Sequence, residues 1–513
     1  DPACGSGAFL LSAAEVVYKL IKRINPKLNQ SYIKTQILKN IYGLDINEYA
    51  IKLCLFKLFA WYYNESILDY SQIISVLKSN LKVKNSLKTP ILREFDIIIG
   101  NPPYGNILTQ DDKDFLKKEN IYYNDIYCSF LLKALDWSNG IIGFLVPKSF
   151  LLRQGYTQFR NKLLSSSNLL KIFDIGPNLF KNATNEVQIV LYEKKDGLNK
   201  ILRILDYPHK EIINYKNQSF DSLRICFNLK CQMCAKSKKI YAYTFLENCP
   251  YCNSKTVKLN RIRIKPTNQI YRLINKIEKK GNMNYLNIND FPKMIRGEED
   301  KGLKYVKEIV NINNNGTCFF ISAKDDFKYY FIKKKKSFNI EEIDAKLLKG
   351  ENYEFYTLPK LLIKHNNIIP EAFYTEDNVC FTSSIYSLLH NNSDLNELKY
   401  LCACLNSILI QFYCTYGINN QKGTTINLNQ YMIRHLPIIK PAEEIKTEIV
   451  KKVDKIINYL ETNQGIANQS VYQLYREIDD IIFVLFGITN EDRQIIISNI
   501  KNQINNFKNI YSR

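Results

Sequence analysis

A parallel, doubly wound α/β sheet is the fold this sequence predicts for residues 1–198, and three observations predict it. A small-residue turn, "DPACGSG" (1–7), runs straight into an amphipathic helix. Short apolar segments then alternate with segments of helical periodicity, the pattern of strands joined by crossover helices. Several of the apolar segments end abruptly, at Asp45, at the pair Pro102-Pro103 and at Pro147.

The elements follow in order. From Ala8 to about Ile24 apolar residues recur near a 3.6 period, and Pro26 follows their end. "IYGLD" (41–45) reads as a short buried strand, and "NEYAIKLCLFKLFAWYY" (47–63) as a second helix. "FDIII" (95–99) is a strand, "YCSFLLKALDW" (127–137) a helix, and "IIGFLV" (141–146) a strand stopped by Pro147. "LLKIFDI" (169–175) and "VQIVLYE" (187–193) complete the pattern. Beyond it, residues 213–260 are rich in Cys, Lys and Asn, residues 265–440 mix short strands with loops, and from Pro441 onward the chain turns helical. Thr489, three residues before Asp492, suggests a capped helix start.

Charge is unevenly placed. The net charge is +21, and residues 201–340 hold 28 Lys and Arg against 12 Asp and Glu. A polyanion is the natural partner of such a stretch, which includes the run Lys333 to Lys336. No segment has the apolar length of a membrane span and no signal peptide is visible, so a soluble, cytoplasmic protein without a membrane partner is expected. Thirteen cysteines in such a chain are expected to be free thiols or metal ligands rather than disulfides.

Two signals carry chemistry, the first of them in two parts. Gly5 and Gly7 let the backbone approach a ligand closely at a strand-to-helix turn, and Asp45 ends the next strand, where an acid can hold ribose hydroxyls. Together they point to a nucleoside-bearing cofactor. "NPPY" (101–104) ends a strand on the same edge of the sheet. Its prolines stiffen the backbone and leave carbonyls as acceptors without competing N–H groups. Asn101 adds a side-chain carbonyl, and Tyr104 a flat face for stacking. A rigid pair of acceptors aimed at one amino group returns a delocalised lone pair to an exocyclic amine and makes it nucleophilic. The second signal is Cys231, Cys234, Cys249 and Cys252, two C-x2-C pairs spaced for a tetrahedral four-sulfur zinc site of structural type. The four histidines, His209, His365, His390 and His435, are scattered and form no such constellation.

These motifs give the sequence its resemblance. It resembles the adenine-specific (N6) DNA methyltransferases of gamma-like motif order, in which the cofactor motif precedes the catalytic motif and a target-recognition domain follows. "DPACGSGAFL" is similar to the family's cofactor motif, which implies that Asp1, Ala3, Gly5 and Gly7 bind S-adenosylmethionine. "GLDIN" (43–47) implies Asp45, with Ile46 beside it, at the ribose, and "VKNSL" (83–87) places Asn85 where the family carries an acid. "NPPY" implies that Asn101, Pro102, Pro103 and Tyr104 are catalytic, and "LFKNATNEVQIVL" (179–191) implies Phe180 as a second face against the base.

The resemblance further implies a Rossmann-like methyltransferase domain at 1–198, lacking its first strand and upstream segment. After it come a zinc-ribbon insert (199–262), a mixed α+β target-recognition domain (263–440) and a helical C-terminal region (441–513). The implied partner is double-stranded DNA, and the implied setting a restriction-modification or related defence system. Two other readings are a catalytically inactive DNA-binding module and a protein-glutamine methyltransferase, whose planar amide poses the same chemical problem.

Overall fold

The computed structural model describes residues 1–63, 70–90, 94–122, 124–176, 186–196, 201–207, 211–215, 221–235, 240–264, 267–310, 316–349, 352–367, 370–419 and 426–501. It divides into two compact units, Asp1–Phe220 with Asn260–Ile264, and Asp221–Leu259 with Lys265–Arg513.

In the first unit, α1 (Ala8–Ile24) starts at Gly7, whose φ is +80°. A Cβ at Gly7 would lie 2.4 Å from Cys54 Sγ, so both conformation and space demand glycine there. α2 (Gln30–Lys39) begins at Asn29, whose side chain accepts the Tyr32 N–H. β1 (Gly43–Asp45) leads into α3 (Glu48–Tyr62), capped by Asn47, and α4 (Ser71–Asn80) leads into β2 (Leu81–Val83). β1 and β2 pair in parallel. Asp1 extends that ladder, its N–H group donating to Tyr42 O (2.9 Å) and its carbonyl accepting from Leu44 N (3.0 Å).

The larger sheet is built from β3 (Phe95–Gly100), α5 (Gln110–Lys118), α6 (Ile126–Trp137), β4 (Ser138–Pro147), α7 (Ser149–Leu152), α8 (Thr157–Ser166), β5 (Ser167–Gly176), β6 (Val187–Lys194), β7 (Leu202–Asp206) and β8 (Glu211–Tyr215). Its strand order is β3-β4-β6-β5-β7-β8. This corrects the expectation of a parallel sheet. β3–β4 and β5–β7 are parallel, but β6 lies antiparallel between β4 and β5, and β8 is antiparallel to β7. The link 177–186 explains the reversal, because a parallel return needs a crossover of roughly a dozen residues or more. α6 is buried along nearly its whole length, which accounts for its continuous apolar sequence. It packs in a core with Phe144, Phe159 and Ile172, and Tyr192 anchors it by donating to Leu131 O (2.7 Å). Between β1 and β3 lies a cavity of about 380 Å³, with Leu44, Ile97, Ile99 and Trp137 in its walls.

The second unit opens with a small antiparallel sheet of β9 (Arg224–Ile225), β10 (Tyr243–Thr244) and β11 (Val257–Lys258), in the order β10-β9-β11. α9 (Asn268–Lys280) follows, with its apolar stripe Ile270, Leu273, Ile274 and Ile277 buried. A four-stranded antiparallel sheet then takes the order Met294–Arg296, Ile385–Leu388, Lys360–Lys364, Glu371–Thr375. The helix Leu395–Asn406 lies against that sheet, and Asn406 exchanges two 2.8 Å hydrogen bonds with the backbone of Ala372. Helices Glu443–Thr462, Gln469–Leu485 and Asn490–Ile500 end the described chain, and Thr489 caps the last by accepting the Asp492 N–H, as the sequence suggests. Among the described residues no helix is long and apolar enough to cross a membrane.

Candidate functional site

The glycine loop and the loop after β1 are tied together by one carboxylate. Asp45 Oδ2 accepts the Gly5 N–H (2.8 Å), while its Oδ1 accepts the Asn47 N–H (2.9 Å) at the start of α3. Each oxygen keeps a second lone pair for an outside hydroxyl. Gly5 has a φ of +52°, and a Cβ there would meet nothing within 4 Å among the described residues, so the loop faces open space at that point. Ile46, 74% exposed, offers an apolar shelf beside Asp45. Asp1 Oδ1 accepts the Ala3 N–H (3.0 Å), and Lys57 Nζ donates to Ser6 Oγ (2.8 Å). These residues fit a ligand with a hydroxylated ring and an apolar base.

Asn85 is turned inward on its own loop. Its Oδ1 accepts the Leu87 N–H (3.1 Å) and its Nδ2 lies 3.4 Å from Asp112 Oδ1. Asp112 also pairs with Lys88 (2.8 Å) and closes a capping box with Thr109.

The NPPY segment leaves β3 at Gly100. A Cβ on Gly100 would sit 2.6 Å from Asp1 Oδ1, so the end of β3 and the start of the glycine loop are in direct contact. Pro102 is buried, and Asn101, Pro103 and Tyr104 are half-buried. The Tyr104 hydroxyl lies between two acceptors, Asn101 Oδ1 and Leu145 O, the latter at 3.0 Å. It therefore uses one of the two lone pairs of the Asn101 carbonyl and orients that side chain, leaving the other lone pair for an amino group. Burial pushes the Tyr104 hydroxyl up to about 12. Its ring meets Tyr127 edge to face, centroids 6.1 Å apart.

Two polar features that the sequence reading missed support this loop. Asp125 Oδ1 accepts the Gly105 N–H (2.8 Å), Gly105 O accepts the Ile126 N–H (3.1 Å), and Asp125 Oδ2 accepts the Tyr156 hydroxyl (3.0 Å). Gly105 has a φ of +97°, so this latch closes a turn that favours glycine. Just past β4, the buried Lys148 ammonium pairs with Asp174 and, at 2.9 Å, with Glu186. An ion network out of water persists only when its partners are fixed, so it pins the carboxyl ends of β4 and β5 to the start of β6. Phe180 lies outside the described residues.

In the second unit the thiols of Cys226, Cys231, Cys249 and Cys252 all lie within 4.8 Å of one another. Three of the four cysteines expected from spacing are in this set. Cys234 is replaced in it by Cys226, which the C-x2-C pattern does not single out. Cys234 packs against the set and accepts the Ala242 N–H at 3.3 Å.

The basic surface is also selective. Lys301, Lys304 and Lys307 are exposed at three-residue spacing on the helix Asp300–Ile309. In the run 333–336, Lys334 is spent internally on Asp377 (2.6 Å) and Glu461 (2.7 Å). His435 stacks on Tyr243 (3.8 Å) and His365 Nε2 lies 3.0 Å from Ser383 O, so both are packing residues.

A two-stranded parallel sheet carrying a glycine loop, a mixed six-stranded sheet whose edge strand ends in Asn-Pro-Pro-Tyr, and a separate second unit define a methyltransferase fold with a C-terminal specificity domain. Residues 39–180 match the Eco57I restriction-modification methylase family, and residues 317–438 match the TaqI-like C-terminal specificity domain. In these two segments the chain is similar to Eco57I-type restriction-modification methylases with a TaqI-like C-terminal specificity domain. It is similar to the type II restriction enzyme and methyltransferase RM.Eco57I of Escherichia coli, 28% identical over an alignment 246 positions long that covers 39% of this chain and 25% of that protein. It is also similar to the type II methyltransferase M.BanIII of Aneurinibacillus aneurinilyticus, 20% identical over 95% of this chain and 91% of that one. Among solved structures, the type IIL restriction-modification enzyme MmeI in complex with DNA has the same fold, with a TM-score of 0.58 at 13% identity, over 100% of this chain and 73% of that one. The chain spans only part of several relatives, 25% of RM.Eco57I and 13% of a relative from Methanocaldococcus jannaschii.

Proposed function

We propose that this chain transfers a methyl group from S-adenosylmethionine to N6 of an adenine in double-stranded DNA, within a restriction-modification or related defence system. The observation that carries the reading is the oriented Asn101 carbonyl at the end of β3, beside Asp1 of the glycine loop. S-adenosylmethionine, when bound, supplies an electrophilic methyl group on a positively charged sulfur. Gly5, Asp45 and Ile46 are the residues that would hold its nucleoside part, and Asp1 and Gly7 shape the turn at its other end.

Asn101 Oδ1 and the Pro102 carbonyl accept the two hydrogens of the amine. This favours the tetrahedral form of the nitrogen and makes its lone pair available. Tyr104 offers its ring face to the base and, through its hydroxyl, keeps Asn101 in place. Such a base has to leave the duplex, at a cost of roughly a few kcal/mol. The exposed lysines of the second unit, Lys301, Lys304 and Lys307 among them, would offset that cost by neutralising phosphates. The specificity domain, within 263–440, would read base edges. The cysteine cluster would hold a structural zinc and take no part in the transfer.

The test is incubation of the purified chain with DNA and labelled S-adenosylmethionine, followed by nucleoside analysis. Label in N6-methyldeoxyadenosine supports the reading. Label on protein glutamine instead overturns it.

A further inference from the structure

We infer that Cys226, Cys231, Cys249 and Cys252 are the four sulfur ligands of one zinc ion, that Cys234 is a fifth thiol outside its coordination sphere, and that the ion fastens the β9–β10–β11 sheet to the core of the specificity unit. The assignment rests on reading the cluster as a zinc site and is independent of the methyl-transfer reading.

Distances carry the ligand set. A tetrahedral zinc with Zn–S bonds near 2.3 Å places its sulfurs about 3.8 Å apart. Cys226 and Cys252 thiols are 3.7 Å apart, and Cys231 and Cys249 thiols 3.9 Å apart. These are two edges of one tetrahedron, and all four sulfurs stay within 4.8 Å of one another. Cys234 is engaged otherwise. Its sulfur accepts the Ala242 N–H at 3.3 Å and lies 3.5 Å from Cys226 O, and it is not among the four thiols that sit within 4.8 Å of one another.

The backbone explains why Cys226 can serve. It continues β9, its N–H donating to Ala242 O (2.9 Å), so the strand itself delivers the thiol. Cys249 is set in a tight turn, with its N–H on Ser254 O (2.9 Å) and its carbonyl accepting from Asn253 (2.8 Å), whose φ is +55°.

The same small sheet reaches the large core. Leu223, Ile225, Tyr243 and Leu259 are buried in it. Tyr243 exchanges two 2.7 Å hydrogen bonds with the Asn284 side chain and stacks on His435 at 3.8 Å with the rings 7° from parallel. A ribbon with strands of two residues has little stability of its own, so the ion would hold the geometry that Tyr243 needs.

The experiment measures zinc per chain, and the charge-transfer spectrum after cobalt replacement, for the full chain and for C226S and C234S. One zinc and a four-thiolate spectrum are expected in the parent and in C234S, whereas C226S should retain less than about a tenth of its zinc after chelator dialysis. Loss of zinc from C234S with retention in C226S overturns the ligand assignment. Should C226S fail to fold, a three-sulfur spectrum in C234S overturns it equally. A parent without zinc overturns the zinc reading itself. Hydrogen exchange at Tyr243–Thr244 should rise on chelation in both the parent and C234S, and unchanged exchange rejects the fastening role.

Discussion

The carboxylate of Asp1 occupies the space where a side chain on Gly100 would begin: a Cβ there would stand 2.6 Å from Asp1 Oδ1. The glycine loop and the Asn-Pro-Pro-Tyr segment thus meet at a point that only glycine permits. We expect Gly100→Ala to push the Asp1 carboxylate away and weaken S-adenosylmethionine binding at least about tenfold, since a misplacement near 1 Å commonly costs about a hundredfold in rate. Calorimetry of cofactor binding checks this, and unchanged affinity with a lowered turnover would assign the close approach to the Asn101 side instead.

Asn101 and Tyr104 should separate in kinetics. Asn101→Ala removes the acceptor itself and should lower kcat by roughly 10²–10³ at unchanged cofactor affinity. Tyr104→Phe removes only the hydroxyl that orients Asn101 and keeps the ring. A decrease of no more than about tenfold is expected, of the size of one missing hydrogen bond. Equal decreases in the two variants would mean that the hydroxyl has a direct chemical role.

The pH profile gives an independent check on Tyr104. Burial raises its hydroxyl to about 12. The folded form therefore favours the protonated phenol, and that contribution to stability is complete below the ordinary tyrosine value near 10 and lost as pH rises through about 12. Methyl transfer by the parent and by Tyr104→Phe should accordingly show the same dependence between pH 7 and about 10. A falling limb in the parent near pH 9 that vanishes in Tyr104→Phe would contradict the hydroxyl's assigned state.

Asp125 holds the loop from the far side. Asp125→Ala leaves the Gly105 N–H without its acceptor and should cost about 1–3 kcal/mol of stability. Turnover should fall more than cofactor affinity, because the loop and not the glycine turn loses its latch. Thermal melting together with a KM-against-kcat comparison tests this.

Much of this arrangement was legible in the sequence because it is local. The glycine turn, the residues that end β1 and β3, and the Thr489 cap each depend on neighbours within a few positions. What stayed hidden depends on distant partners. β6 runs antiparallel because of the length of the link that precedes it, and its apolar composition is silent on direction. Lys148 finds Glu186 across 38 positions and Gly105 finds Asp125 across 20, with no periodicity to announce either. Cys226, a fifth candidate that spacing makes a bystander because it lies outside the paired C-x2-C motifs, is brought to the cluster by strand pairing with Ala242.

The basic unit should act through phosphates. Replacing Lys301, Lys304 and Lys307 together by Ala should flatten the plot of log affinity against log salt by about 0.9 for each phosphate left without its lysine, whatever the DNA sequence. A change confined to one sequence would point to recognition of base edges.

The most direct measurement of the central claim is the methylated-nucleoside content of DNA after incubation with the parent chain and with Asn101→Ala, at matched occupancy by S-adenosylmethionine. The parent is expected to yield N6-methyldeoxyadenosine, and the variant roughly a hundredfold less or below. Comparable methylation by both, or methylated cytosine in place of adenine, would contradict the assignment of Asn101 as the acceptor that activates an adenine amine.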